Sequence, residues 1–454
     1  MYYGIIHFIM PTTVQSLIDR DRTVNWHPYT QMKELETQPP LPIAASKGIY
    51  VTDTDGNHYI DTISSWWCNI HGHNHPHITS ALMHQANQFS HVMFAGITHE
   101  PAVTLSERLV ALTPDSLTRV FYSDNGSSAV ETALKQSVQY WKQSGYHRKQ
   151  RFISLEHSYH GDTVGCMAVS DASEFHGAFS SLVVPAFKIP VPTPKRKPAN
   201  LNMTGFMRYC ENALTNYLKI HNSEISAIIV EPLVQAAGGF IFYPSEFLET
   251  LQSIASQYKV HLIVDEVATG FGRTGRLFAS DYTSIEPDFM CLSKGLTSGT
   301  LPFAATLTTD RIYQAFYDDY SAGKTFFHGH TYCANPLGCA VALATLDVFE
   351  SENTLNHVQS LAPLLATEID QLTTIPGVNH HRSIGLIGAV DVAPLQSGDR
   401  LSPVIHQRGL DAGLFIRPLG NTVYVMPPLC ITRAELQTVM DTLASILKDL
   451  DLVV

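Results

Sequence analysis

Through the middle of the chain, short apolar runs alternate with stretches of helical spacing. The runs at 120–123, 152–155, 227–230, 261–264 and 289–292 have the length of strands. Residues 127–142 place Ala129, Val130, Ala133, Leu134, Val138 and Trp141 on one helical face, and residues 101–113 show the same spacing. Strands alternating with helices predict an α/β fold with a mostly parallel sheet covered on both faces.

The ends of the chain read differently. Residues 48–63 alternate apolar and polar around Asp55-Gly56, which predicts a β-hairpin. Residues 187–204 are rich in Pro and Lys and predict an exposed excursion instead of an element. From about 345 the pattern turns to a helix, short strands at 388–392, 414–416 and 422–425, and a final helix from Thr432. These shifts predict an N-terminal segment (1–75) that joins a small α+β domain, a large domain (76–345), and the remainder of the small domain (346–454).

Three apolar runs lead into a charged residue. Ile228-Ile229-Val230 precedes Glu231, Leu262-Ile263-Val264 precedes Asp265, and the run from Phe289 passes Ser293 into Lys294. Glu231 and Asp265 are 34 residues apart, and Asp265 and Lys294 are 29 apart. A strand–helix–strand unit takes about 30. Successive parallel strands therefore set Asp265 and Lys294, with Glu231 nearby, on the carboxyl edge of one sheet, where open α/β sheets bind ligands. A desolvated lysine there loses its proton more readily and becomes nucleophilic. An amine that condenses with an aldehyde, beside an acid that keeps a ring nitrogen protonated, is what a pyridoxal phosphate site requires.

Other candidates surround this pair. Asp124-Asn125-Gly126-Ser127-Ser128 sits at a strand-to-helix turn, where small residues and free amides receive an anion. Tyr159, in Tyr159-His160-Gly161-Asp162, can cover a planar ring. The loop Phe327-His328-Gly329-His330-Thr331-Tyr332 is hinged on glycine, and Thr331 offers a hydroxyl to a phosphate. Arg417, at a strand end, suits a substrate carboxylate. Trp66 and Trp67 cannot both point inward from a strand, so one is expected to face a cleft. His71, His73, His75 and His77 alternate at i, i+2, which on a strand would put them on one face, but they lack the separated ligand pairs of a zinc site, so no metal is expected. No G-x-G-x-x-G follows the first strand–helix turn, which disfavours a nicotinamide dehydrogenase.

The bulk composition agrees with a globular protein. The chain has 454 residues, 44% hydrophobic and 15% charged, enough for a large core. Its net charge of −12 argues against a nucleic-acid or anionic-membrane surface. Seven cysteines, an odd count without CxxC, suit a reducing cytoplasm better than a disulfide framework. Residues 1–10 are apolar but too short to span a bilayer, and they lack the basic residue and cleavage site of a secretory signal. A loose extension, or a true start at Met10, is expected there.

In order, HSYHGDT, IIVEPLVQAAGG, LIVDEVATGFGRTG, LSKG and HGHTY resemble the class III aminotransferases, and the likeness runs from about residue 24 to 430. It implies the type I fold of pyridoxal-phosphate transferases, with a mostly parallel seven-stranded sheet and a smaller α+β domain from both chain ends. It also implies a homodimer whose sites are completed across the interface. By this resemblance Lys294 carries pyridoxal 5′-phosphate, Asp265 pairs with the ring nitrogen, Gly126 and Ser127 hold the phosphate, and Tyr159 lies against the ring. His330 and Thr331 would reach the cofactor phosphate of the neighbouring subunit. Trp66, Tyr29, Gly329 and Arg417 would line the substrate together with Tyr159 and Lys294. Arg417 would take the carboxylate, and Tyr29 joins Lys294 and Asp265 as a catalytic candidate.

Within the class, WHPYTQM, SSWWCNIHGHNHP and DNGSSAVETALK resemble the enzymes that convert 8-amino-7-oxononanoate to 7,8-diaminononanoate in biotin synthesis, usually with S-adenosylmethionine as donor. His330 stands where many adenosylmethionine users have Pro, as in relatives that take lysine, whereas Trp66 is a residue those relatives tend to lack. The donor stays open between the two. Another ω-aminotransferase or an aminomutase would keep the same fold, and a non-catalytic metal protein is the reading that the histidine run alone would suggest.

Overall fold

A computed structural model describes residues 14–453, so the extension expected at 1–10 lies outside the described residues. Its centre is a seven-stranded sheet of β1 (Leu117–Ser123), β2 (Arg151–Leu155), β3 (Phe187–Ile189), β4 (Ile225–Val230), β5 (His261–Asp265), β6 (Phe289–Leu292) and β7 (Ala304–Thr309). The strands lie side by side in the order β1-β7-β6-β5-β4-β2-β3. Neighbours pair parallel except at β7, which runs antiparallel to both β6 and β1. β4, β5 and β6 are buried along their whole length. Burial on both faces is why they read as unbroken apolar runs.

Alternate residues of the central strands serve opposite layers. Ile229, Ile263 and Phe289 pack with Ala129, Val130 and Ala133 of α1 (Gly126–Gln143). Ile228, Val230, Leu262 and Val264 pack with the helices Met203–His221 and Ser245–Tyr258 on the other side.

The structure corrects the reading of 187–204. Residues Phe187–Ile189 form edge strand β3, with Ile153 opposite Phe187 and Leu155 opposite Ile189. An edge strand needs partners on one side only, so the Pro-rich continuation does not break a ladder. Its lysine is satisfied as well: Lys188 Nζ donates to Ser154 Oγ at 2.7 Å and to the Ser170 carbonyl at 2.7 Å. The same stretch also starts the helix Met203–His221, capped by Asn202.

The hairpin predicted at 48–63 is present as Tyr50–Asp53 against His58–Asp61. Leu414–Phe415 joins it in parallel beside His58–Asp61, so segments from both ends of the chain share one sheet. A second sheet holds Val378–Ile384, Ile387–Val392 and Thr422–Val425. The final helix, Arg433–Lys448, opens on a capping box between Thr432 and Glu435. No helix among the described residues is long and apolar enough to cross a membrane.

Candidate active site

Sheet register sets the charged residues together. Val264 pairs with Val230 on one side and with Met290 on the other. Glu231 and Asp265 therefore leave the sheet at the same level, and Lys294 leaves just beyond. A cavity of about 390 Å³ opens at this edge, and Glu231, Asp265, Lys294, Gly126, Ser127 and Tyr159 all line it.

Lys294 turns the chain out of β6 with φ +41°. A side chain in the left-handed region costs energy, and such strain gathers at functional sites. Enclosure by protein pulls its ammonium below the ordinary lysine value, against the opposing charges of Asp265 and Glu231. Its Nζ lies 4.8 Å from the centre of the Trp67 ring.

Asp265 is buried and held through both oxygens. Oδ2 lies 2.7 Å from His160 Nδ1, and Oδ1 accepts the Val267 amide at 3.1 Å. Glu231 accepts the Tyr159 amide at 3.0 Å and the Ala236 amide at 3.2 Å, and burial pushes its carboxyl up to about 8. Glu266, next to Asp265, does not line this cavity. It accepts the Thr269 hydroxyl at 2.6 Å and the Ser280 amide at 2.7 Å, which pins the glycine-rich loop to the strand end.

The opposite wall suits an anion. α1 begins at Gly126, with the Asn125 side chain accepting the Ser128 amide at 3.0 Å. The first amides of a helix precede its own ladder and favour negative charge. Two glycines keep this wall open. A Cβ on Gly126 would lie 2.6 Å from Val267 Cγ1. One on Gly161, at φ +122°, would lie 2.0 Å from Ser127 Oγ.

Beside the cavity runs a strip of aromatic rings. The Tyr29 hydroxyl donates to Asp162 Oδ1 at 2.6 Å and lies 3.2 Å from the Tyr159 hydroxyl. The Tyr29 ring meets Trp66 edge-on at 5.7 Å, and Arg417 lies 5.3 Å over Trp66. Trp66 is 42% exposed and Trp67 4%. One of the pair does face outward, but from a tight turn in which Ser64, Ser65 and Trp67 all have positive φ, not from a strand. Tyr29, Trp66 and Arg417 thus stand next to the cavity without lining it.

Gly329, His330 and Thr331 are exposed and do not line the cavity, and His330 Nδ1 lies 3.0 Å from Asp124 Oδ2. The histidine run lies on no continuous strand: it is irregular chain through His75 and helix from Pro76. Each ring takes a different partner: His71 the Thr345 carbonyl, His73 Asp61, His75 Glu352 and His77 Asp347. Residues left without a role in the sequence are His160 and Asp162. The tetrapeptide Tyr159-His160-Gly161-Asp162 was the available signal, but only its tyrosine drew a role.

The family model described as aminotransferase class-III matches residues 31–447. The chain belongs to the class III aminotransferases. It is 40% identical over 437 residues to the adenosylmethionine-8-amino-7-oxononanoate aminotransferase of Geobacter sulfurreducens, covering 94% of this chain and 96% of that one. The crystal structure of the Methanocaldococcus jannaschii enzyme of the same name superposes with a TM-score of 0.91 at 36% identity, over 96% of this chain and 100% of that one. An amine transaminase from an uncultivated Pseudomonas species, in its PLP-bound form, superposes with a TM-score of 0.88 at 31% identity, over 93% and 98%. This class III aminotransferase thus has the α/β type I fold, with its charged residues at the carboxyl edge of the sheet.

Proposed function

We propose that this aminotransferase uses pyridoxal 5′-phosphate to carry an amino group from S-adenosylmethionine to 8-amino-7-oxononanoate, giving 7,8-diaminononanoate for biotin synthesis. One observation carries the reading: Lys294, Asp265 and the Gly126–Ser127 turn line a single cavity. Relatives 40% identical over at least 92% of the chain bear the name of that reaction.

The residues fit the cofactor. Gly126 and Ser127 would take its phosphate at the start of α1, in a cradle that a Cβ on Gly126 or Gly161 would fill. Asp265 would pair with the ring nitrogen, Tyr159 would lie against the ring, and Lys294 would hold the aldehyde carbon. When bound, the cofactor supplies an electron sink that acidifies the donor's α-carbon. Lys294, with its proton affinity lowered by enclosure, would take the proton from that carbon and, in the second half-reaction, deliver one to the keto-acid carbon that receives the amine. His160 and the Val267 amide fix the Asp265 carboxylate, so its charge needs no rearrangement during the reaction. Arg417 offers a guanidinium to the keto acid's carboxylate. Tyr29 fixes the Tyr159 side of the cavity through its hydroxyl contacts.

We further propose a cytoplasmic homodimer in which His330 and Thr331 complete the partner's site. The exposure of Phe327 (81%) and Tyr332 (58%) on that loop supports burial by a second copy. The sheet shared by His58–Asp61 and Leu414–Phe415 supports the division into 1–75, 76–345 and 346–454. Lysine as donor is the second reading, and His330 favours it.

The test is a visible spectrum of the purified holoenzyme, titrated separately with S-adenosylmethionine and lysine. Loss of the cofactor band with S-adenosylmethionine alone is expected. Loss with lysine alone overturns the donor. A holoenzyme that makes no diaminononanoate from the keto acid with either donor overturns the function.

A further inference from the structure

The two substrates proposed above carry opposite charges at their far ends. The keto acid ends in a carboxylate. Each candidate donor carries a second positive charge, a sulfonium in one and an ammonium in the other. A cavity that takes them in turn needs a cation and an anion that do not cancel each other.

The strip beside the cavity has both. Arg417 lies over Trp66, Trp66 meets Tyr29, and Tyr29 donates to Asp162. Two aromatic side chains thus separate the guanidinium from the carboxylate. Asp162 sits at the rim, one residue past the cavity-lining Gly161, with its amide 3.4 Å from Ser127 Oγ and half of its side chain open. Burial works to raise its carboxyl, but hydrogen bonds from Tyr29 and His176 outweigh this and hold it below the ordinary range.

His176 belongs to a short helical turn, Ser173–His176, that packs over this end. Its Nε2 lies 2.9 Å from Asp162 Oδ1, the same oxygen that accepts Tyr29. Its ring stacks on Tyr159 at 5.8 Å and 28°. Its Nδ1 is buried and has no partner among the described residues, so Asp162 is the ring's one polar anchor there. The preceding Phe175 meets Tyr29 edge-on at 5.6 Å. The turn therefore grips both tyrosines and the carboxylate at once.

We propose that His176 is the positioning residue of the donor end of the cavity, holding Asp162 so that its carboxylate meets the far positive charge of a cationic amino donor. This role rests on the aminotransferase reading above. It places the donor's cation at Asp162 and the acceptor's carboxylate at Arg417, on opposite ends of one aromatic strip.

The test measures each half-reaction separately in wild-type, His176→Ala and His176→Gln holoenzyme. In the alanine variant the donor's KM rises about tenfold, the size expected for loss of one hydrogen bond to a charged group, while kcat changes less. The keto-acid half-reaction stays within about twofold. Glutamine, which keeps an N–H for Asp162, restores most of the donor's KM. Equal damage to both half-reactions, or a glutamine variant no better than alanine, overturns the role of His176. Wild-type enzyme that accepts neither cationic donor overturns the function itself, a separate result.

Discussion

His160 Nδ1 lies 2.7 Å from Asp265 Oδ2, and both side chains are buried. Both residues belong to the wall of the same cavity. Without it, Asp265 keeps the Val267 amide as its other hydrogen bond and is free to turn about it. His160→Ala is expected to weaken cofactor retention about tenfold, the scale of one charge-assisted hydrogen bond. Cofactor content after graded dialysis measures this, and retention equal to wild type would show that Asp265 needs no brace.

Lys294→Ala removes both the covalent anchor and the proton carrier. Turnover should fall by at least about 10³, and the visible band of the lysine-bound cofactor should be missing once trapped adducts are removed. A retained band would rule the lysine out. Enclosure lowers this amine from the ordinary value of 10.5, so its free form appears at lower pH than for an exposed lysine. The donor half-reaction should therefore gain rate with pH in a window below 10.5. In that window the unfolded chain holds the proton and the folded one does not. This group's contribution to stability accordingly grows as pH rises and is lost as pH falls.

Glu231 shows the opposite sign. Burial raises its carboxyl from 4.5 to about 8, so between these values the folded protein holds a proton that the unfolded chain has released. Its contribution to stability is full below 4.5 and drains away as pH climbs toward about 8. Glu231→Gln removes that dependence. The Tm of the glutamine variant relative to wild type should rise steadily across the window by thermal melts. A constant offset would mean the carboxyl stays ionised throughout.

A methyl group on Gly161 would meet Ser127 Oγ at 2.0 Å, at a φ of +122° that side chains rarely adopt. Gly161→Ala should push Ser127 off the α1 turn and cost about 1–3 kcal/mol. Phosphate-dependent retention of the cofactor, assayed by equilibrium dialysis, is expected to drop alongside Tm. An alanine variant that melts and binds like wild type would show that this wall has slack.

Arg417 lies over Trp66 at the far end of the strip from Asp162. Arg417→Ala should raise KM for the keto acid by about 10- to 100-fold, the range for a hydrogen bond to a charged group. The donor half-reaction should change less. Equal effects on both halves would assign Arg417 to shared architecture and not to the carboxylate.

The sequence by itself determined the sheet and the chemistry at its edge. Continuous apolar runs with charged residues at their ends are local patterns, and their near-constant spacing turns them into one line of side chains, although β5 and β6 are joined by a loop holding just the short turn Ala279–Tyr282 and not by a helix like Ser245–Tyr258 between β4 and β5. Glu231, Asp265 and Lys294 were legible for that reason. Tertiary structure alone decided the antiparallel β7, the edge strand β3, the His160 brace on Asp265 and the reach of Tyr29 to Asp162 across 133 positions. Strand direction depends on how the chain returns to the sheet, and a side-chain partner depends on where distant backbone comes to rest. Neither leaves a periodic trace along the chain, so only the folded packing reveals them.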